Sequence, residues 1–429
     1  MAVGAILEPL IVVSFLTFGT IVNRNKSATF SGRTTYSGSL PAPWEHLKYP
    51  KDPEFDDVES ARPSHEHDRA LLGTPLSRAS SSSGATLADD GVPRAPSPWR
   101  QRKLKFMSWE REVTTPNTEV FINRFLSRVL QRLPFLAEVW YWALIYWVYQ
   151  LGRAFTAVTL QESTVDTARQ HALQVIHLEK RLGIFVEPAF QSWFLERPEL
   201  LRWTNKTYSF IHIPGTILYL IVLYYVTTTR PRHRLQDEQG GKPLNSNWRT
   251  MAPIFGPDVY EKRRRTMAMC NLLAFIVFTF WPCMPPRLLS DPNYTGEFAN
   301  EAKSFGFVDT VHGKDGDSSV WTTNKFCNQY AAMPSLHFGY SFLVGLTIAT
   351  VPLRKSGRLG WRRIAIVAAG MIYPAIILTA IVATANHFIL DAVAGATACL
   401  IAWRYNGVLL NLLPIEDYFL RLVRIHKPR

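Results

Sequence analysis

Cysteine is scarce in this chain: 429 residues hold four, Cys270, Cys283, Cys327 and Cys399. They form no CxxC pair and no dense framework, which excludes a zinc module and a disulfide scaffold. Cys270 and Cys399 fall inside apolar runs, where cysteine packs as a small hydrophobe. Cys283 and Cys327 flank one loop, and a disulfide between them stays open because spacing alone does not set Cα proximity. Charge is also thin, at 19% of residues against 47% hydrophobic. The net charge of +13 comes with no nucleic-acid module signature. Its lysines and arginines cluster in loops beside apolar runs instead, which is a topology signal. The first apolar run lacks the marks of a secretory signal peptide: it has no basic start, contains Glu8 and shows no small-residue cleavage site. It reads as an uncleaved anchor.

What the chain does have is long apolar segments. Seven lie near the ~20 residues a bilayer requires: roughly 4–22, 136–158, 207–229, 266–284, 334–352, 364–385 and 388–408. The expected fold is therefore an all-α polytopic membrane protein. A six-span catalytic core over 136–413 follows an N-terminal transmembrane anchor at 1–22. Four basic segments fall on one side when seven spans are counted. The first loop contains Arg24, Lys26, Arg33, Arg100, Arg102, Lys103 and Lys105, and the loop after span three contains Arg230, Arg232, Arg234 and Lys262 to Arg265. Arg354, Lys355, Arg358, Arg362 and Arg363 lie between spans five and six, and the 414–429 tail ends in Arg424, Lys427 and Arg429. The positive-inside rule then predicts a cytosolic C-terminus and a lumenal N-terminus.

Residues 23–115 are polar, basic and rich in Ser and Pro, with Ser80 to Ser83 in a row. Such a stretch buries too little apolar area to offset its ordering entropy, so a disordered cytosolic segment is expected. A phosphorylation site near Arg78 or Ser97 is a hypothesis there. Trp99, Phe106 and Trp109 around Arg100–Lys105 suggest a basic-aromatic patch for an anionic leaflet. In 116–135, Arg124, Arg128 and Arg132 recur every four residues, with Phe121, Phe125, Leu126 and Leu130 on other faces. That spacing predicts an amphipathic interfacial helix, although positive-inside packing also accounts for it.

Two short stretches carry the chemistry: residues 332–337 (AMPSLH) and 387–391 (HFILD). Ionisable groups at membrane depth default to a functional reading. Under the predicted topology, His337 and His387 share one depth on the lumenal side. Pro334 suits a helix's first turn, and the free amides there form an anion site to which Ser335 adds a hydroxyl. His337 would stand beside a bound phosphate, placed to give or take a proton. His387 and Asp391 are four apart and share a helix face. Asp391 can orient the imidazole so that its other nitrogen is a nucleophile. A buried His–Asp tie between helices is the structural alternative. A zinc site from His337, His387 and Asp391 is another, disfavoured by the phosphate-ready helix start. No metal or cofactor is expected.

These stretches resemble the second and third motifs of the type-2 phosphatidic acid phosphatase superfamily. The closer likeness is to its inositolphosphotransferase branch, which includes fungal inositol phosphorylceramide synthases. Further matching pieces are 281–288 (WPCMPPRL), 306–310 (GFVDT), 328–331 (NQYA), and the trio Asn205, Tyr208 and His212. The likeness spans about 136–410 and leaves out the first span and the insert. It implies that His387 attacks phosphorus to form a phosphohistidine. Asp391 would orient it, His337 would protonate the departing alkoxide, and Arg287 would clamp phosphate. The phosphatase branch also carries an arginine six residues before the third-motif histidine, where this chain has Ile381.

The expectation is a Golgi or endomembrane enzyme with a lumenal active site. It would move inositol phosphate from phosphatidylinositol to a sphingolipid, either ceramide or a mannosylated inositol phosphorylceramide. Membrane lipids are its expected partners. A lipid phosphatase using water as acceptor and a non-catalytic scaffold are the alternatives. Asn205, Tyr208 and His212 contact a polyol headgroup or form an interfacial aromatic belt. Asp309 contacts inositol or shapes its loop. Asn293 opens an N-Y-T glycosylation sequon.

Overall fold

The computed structural model describes residues 2–28, 97–106, 108–159, 162–208, 212–233, 256–310, 330–352 and 360–428. Cys327, Asn328 and Gln329 lie outside these residues, as do Arg33, Arg78, Ser80 to Ser83, Arg234, Arg354, Lys355 and Arg358. The elements run α1 (Ala2–Val22), β1 (Trp99–Phe106), β2 (Trp109–Pro116), α2 (Phe125–Arg132), α3 (Phe135–Thr159), α4 (Glu162–Leu182), α5 (Glu187–Leu195) and α6 (Pro198–Lys206). They continue with α7 (His212–Tyr224), α8 (Pro257–Phe280), α9 (Ala299–Ser304), α10 (Leu336–Ala349), α11 (Trp361–Ala383), α12 (Ile389–Tyr405) and α13 (Leu413–Leu422). Each predicted span falls on one of these helices. Two helical stretches, Trp361–Ala383 and Ile389–Leu422, are long and apolar enough to cross a membrane. Pro9–Val22 and Leu336–Ala349 are shorter apolar helices. α3 and α11 turn large apolar side chains outward: Trp147, Leu151, Trp361 and Ile372 are each about 60% exposed or more. A soluble protein rarely leaves such a surface uncovered.

Small residues let the central helices meet. Gly345 on α10 and Gly370 on α11 face each other so closely that a Cβ on either would stand under 3 Å from the other's carbonyl oxygen. Gly339 on α10 and Gly395 on α12 make a second such crossing. α1 packs on this bundle: a Cβ at Gly19 would strike Phe135 and Ile221, and Asn23 accepts a 2.6 Å hydrogen bond from the Thr229 hydroxyl.

The bundle has two chemically distinct ends. One gathers cations: Arg132 reaches the carbonyls of Asn25, Lys26 and Ala28, Arg264 pairs Glu138 at 2.6 Å, and Arg363 holds the carbonyls of Ala349 and Val351. The other end holds the starts of α10 and α12, roofed by α4, α5 and α6. Ala168, Ala172 and Ile176 of α4 pack there with Cys283, Met284, Leu289, Phe307 and Phe388.

Three expectations are corrected at the basic end. The fold is not purely helical, because β1 and β2 form an antiparallel hairpin that pairs Trp99 with Pro116 and Phe106 with Trp109. Residues 97–106 and 108–115, expected within a disordered segment, are therefore ordered. Part of the basic-aromatic patch is engaged within the protein, while Trp99, Phe106 and Trp109 stay about half exposed. Arg100 and Arg102 project from one strand face, two residues apart, and both bond the buried Asp417 of α13. Thr115 adds a third bond to that carboxylate at 2.8 Å, and Lys103 pairs Glu112 and Glu110. The predicted 116–135 helix is shorter than expected: a 3₁₀ turn at Thr118–Phe121 precedes the eight-residue α2, and Arg124 is its N-cap. Replacing Asp417 with alanine would leave two half-buried guanidinium groups unpaired and destabilise the protein by about 3 kcal/mol. A lower melting temperature and new proteolysis within 97–116 are the expected readouts.

Candidate active site

The site forms where two short turns meet. Ser335 caps α10, its side chain accepting from the Phe338 amide at 3.4 Å. Pro334 therefore sits ahead of the cap rather than in the first helical turn, and His337 lies in that turn. On the other side, His387 precedes α12 and does not ride on it. Phe388 is the N-cap and Asp391 the third helical residue. The expected shared helix face is thus replaced by a capping arrangement. The Asp391 Oδ2 accepts from the Phe388 amide at 2.9 Å, which satisfies one of the helix's orphan donors. The two turns are tied directly, because the Ser335 amide donates to the Asp391 carbonyl at 2.9 Å.

The orientation of His387 follows from one contact. Its Nδ1 lies 2.8 Å from the Ala332 carbonyl oxygen, and a carbonyl only accepts. Nδ1 must carry the proton, leaving Nε2 as the basic nitrogen. Asp391, the expected orienter, stands 3.5 Å from the same Nδ1. It supplies a buried negative charge beside the ring rather than the hydrogen bond. Ala332 is held in turn by Cys283, whose carbonyl accepts the Ala332 amide at 3.0 Å.

The other residues singled out in the sequence converge on this point. The His337 ring lies 5.9 Å from that of His387, 5.0 Å from His212 and 4.5 Å from Tyr208, centroid to centroid. His212 is buried and its Nδ1 meets the Tyr373 hydroxyl at 2.8 Å. Asn205 is buried too; its amide nitrogen reaches the Thr310 carbonyl at 3.2 Å, and among the described residues its Oδ1 meets no donor. Arg287 bonds Asn386 through Nε and Asp309 through Nη1, both at 3.0 Å. Its amide also donates to the Ala385 carbonyl. Ala385 adopts a φ of 49°, a left-handed conformation that costs an alanine about 1 kcal/mol and turns the chain from α11 into His387. Ile381 is fully buried, and its carbonyl accepts the amides of Asn386 and His387. Among the described residues, no three His, Cys, Asp or Glu side chains group as metal ligands.

Sequence reasoning missed several contributors. The Ala332 carbonyl and Asn386 adjoin the motifs but carry no signal as residue types. Glu179 and Glu187 are further from view. Both are fully buried, and they accept from the Leu390 amide at 2.8 Å and the Ile389 amide at 3.1 Å. Burial, and then the neighbouring Glu187, push the Glu179 carboxyl well above the usual carboxylate range. Asn293 is exposed in the loop at this same end.

A basic imidazole nitrogen, a second histidine, an arginine and a capped helix start suit attack on a phosphate ester. Comparison with known families agrees. The model of the PAP2 superfamily matches residues 173–236 and 250–405. No curated protein and no solved structure matches the chain. The matched stretches include His337, His387 and Asp391 and make up half of the chain, two of whose helical stretches have the length and composition of membrane spans. The chain belongs to the PAP2 superfamily, whose chemistry is that of phosphatases and phosphotransferases acting on lipid phosphates.

Proposed function

We propose that this protein moves inositol phosphate from phosphatidylinositol to a sphingolipid hydroxyl, through a phosphohistidine at His387. The observation that carries the covalent step is the Nδ1 contact with the Ala332 carbonyl, which leaves Nε2 as the nucleophile. In the first half-reaction Nε2 bonds to phosphorus and the bond to the diacylglycerol oxygen breaks. His337 gives its proton to that departing oxygen. In the second half, His337 takes the proton of the acceptor hydroxyl, whose oxygen displaces Nε2 from phosphorus. Arg287 and the Ser335 end of α10 hold the phosphoryl oxygens. Asp391 stabilises the imidazolium character that develops on His387. Asn205, Tyr208 and His212 face the inositol ring, and Asp309 aims Arg287.

Inositol as the transferred group rests on the likeness of 281–288, 306–310 and the Asn205, Tyr208 and His212 trio to the inositolphosphotransferase branch. The proposed topology has seven spans, with the histidines lumenal and the basic end cytosolic in a Golgi or related membrane. The separation of cations from histidines along the bundle supports it. Purified protein given labelled phosphatidylinositol, with and without ceramide, tests the reading. Label is expected in a sphingolipid product with ping-pong kinetics. Release of water-soluble inositol phosphate regardless of ceramide would make the enzyme a hydrolase and overturn the transfer reading.

A further inference from the structure

The start of α12 is plugged by acid. Its first three amides, Phe388, Ile389 and Leu390, each donate to a different carboxyl group: Asp391, Glu187 and Glu179. A helix start normally offers such amides to an anion, but here none of the three is left for phosphate. Two of the three carboxyl groups come from outside the motif helices. Glu179 lies near the end of α4 and Glu187 opens α5, so the roof of the site reaches down to the turn that carries His387. Both side chains are fully buried. The second oxygen of each meets no amide, hydroxyl or cation among the described residues, so each side chain's bonding to the rest of the protein goes to α12.

We propose that Glu179 and Glu187 act as a positioning clamp for His387, the two side chains together holding the first turn of α12 through its Leu390 and Ile389 amides. The clamp rests on His387 being the nucleophile. It acts through geometry. Ile389 and Leu390 lie two and three residues after His387, so the pitch of this turn sets where Nε2 lies relative to the Ala332 carbonyl. The clamp also reserves phosphate for Arg287 and α10 by denying it α12. Neither glutamate touches substrate.

The test compares variants that keep each amide's acceptor with variants that remove it. Glu179→Gln and Glu187→Gln keep an oxygen for the Leu390 and Ile389 amides, whereas Glu179→Leu and Glu187→Leu leave those amides unpaired. In the full-length protein in detergent–lipid micelles, the Gln variants are expected to keep kcat within about threefold of wild type. The Leu variants are expected to lose about 100-fold in kcat, the scale of a 1 Å misplacement of a reacting group, with KM moved less than about threefold. Orthovanadate, which mimics five-coordinate phosphorus, gives a readout independent of the lipid chosen. Its calorimetric affinity should be unchanged in the Gln variants and about tenfold weaker in the Leu variants. Leu variants that match wild type in turnover and vanadate affinity, or Gln variants that lose as much as the Leu variants, would overturn the clamp. His387→Ala run alongside separates the two readings. An active His387→Ala removes the nucleophile assignment itself. An inactive one beside fully active Leu variants removes only the clamp.

Discussion

Alanine at position 387 is expected to lower turnover at least about 10⁴-fold, the scale seen when a covalent nucleophile is removed. The loss should appear in kcat and in labelling of the protein by substrate phosphorus. The variant should still fold. Among the described residues the imidazole makes one hydrogen bond, to Ala332, and leaving a buried carbonyl unpaired costs about 1–3 kcal/mol. Alanine at 337 should behave differently. His337 stands beside His387 with its ring against Tyr208 and His212, and its proposed task is proton transfer to a poor leaving group. That task is worth about 10²–10⁴-fold. An activated phosphodiester with a nitrophenolate leaving group needs no such proton. It should restore the His337→Ala variant while leaving His387→Ala inactive. Rescue of both variants, or of neither, would show that the two histidines do not divide the reaction as assigned.

The second large effect is structural and needs only a methyl group. A Cβ at Gly395 would stand 2.2 Å from the Ser335 carbonyl oxygen, closer than real Cβ contacts, and the obstacle is backbone. Gly395→Ala must push α12 away from α10. That movement strains the Ser335 amide bond to the Asp391 carbonyl, so the two halves of the site separate together. Overpacking of this kind destabilises by about 1–3 kcal/mol, and a displacement near 1 Å costs about 100-fold in rate. Gly407→Ala is the matched control, since nothing lies within 4 Å of its added Cβ. Thermal unfolding and turnover of the two variants, measured together, check the crossing. If Gly395→Ala matched Gly407→Ala in both, the helices do not approach as closely as described.

Much of this architecture is local and therefore readable in one dimension. Apolar runs near bilayer length mark the helices because burial or lipid contact favours them wherever they fold. Small residues such as Gly395, spaced one turn from Asp391, signal a close helix crossing. The motif residues His337, His387, Asp391 and Arg287 stand out because ionisable groups are rare in such sequence. The hairpin did not stand out. Its residues Arg100 and Arg102 look solvated until Asp417, more than 300 positions away in the chain, is brought against them. The short α2, by contrast, ends just before Pro134, a stop that is legible in the sequence.

By itself the sequence determined that the long apolar segments are helical, which ionisable residues stand among them and which connecting segments are basic. These depend on composition and short-range spacing, which folding does not alter. Only the tertiary structure decided how His387 is held. A backbone carbonyl has no residue type to read, so Ala332 and not Asp391 turned out to fix the His387 tautomer. Likewise Glu179 and Glu187, ordinary surface letters on an amphipathic stretch, became buried caps because packing of α4 and α5 over α12 put them where orphan amides require an acceptor.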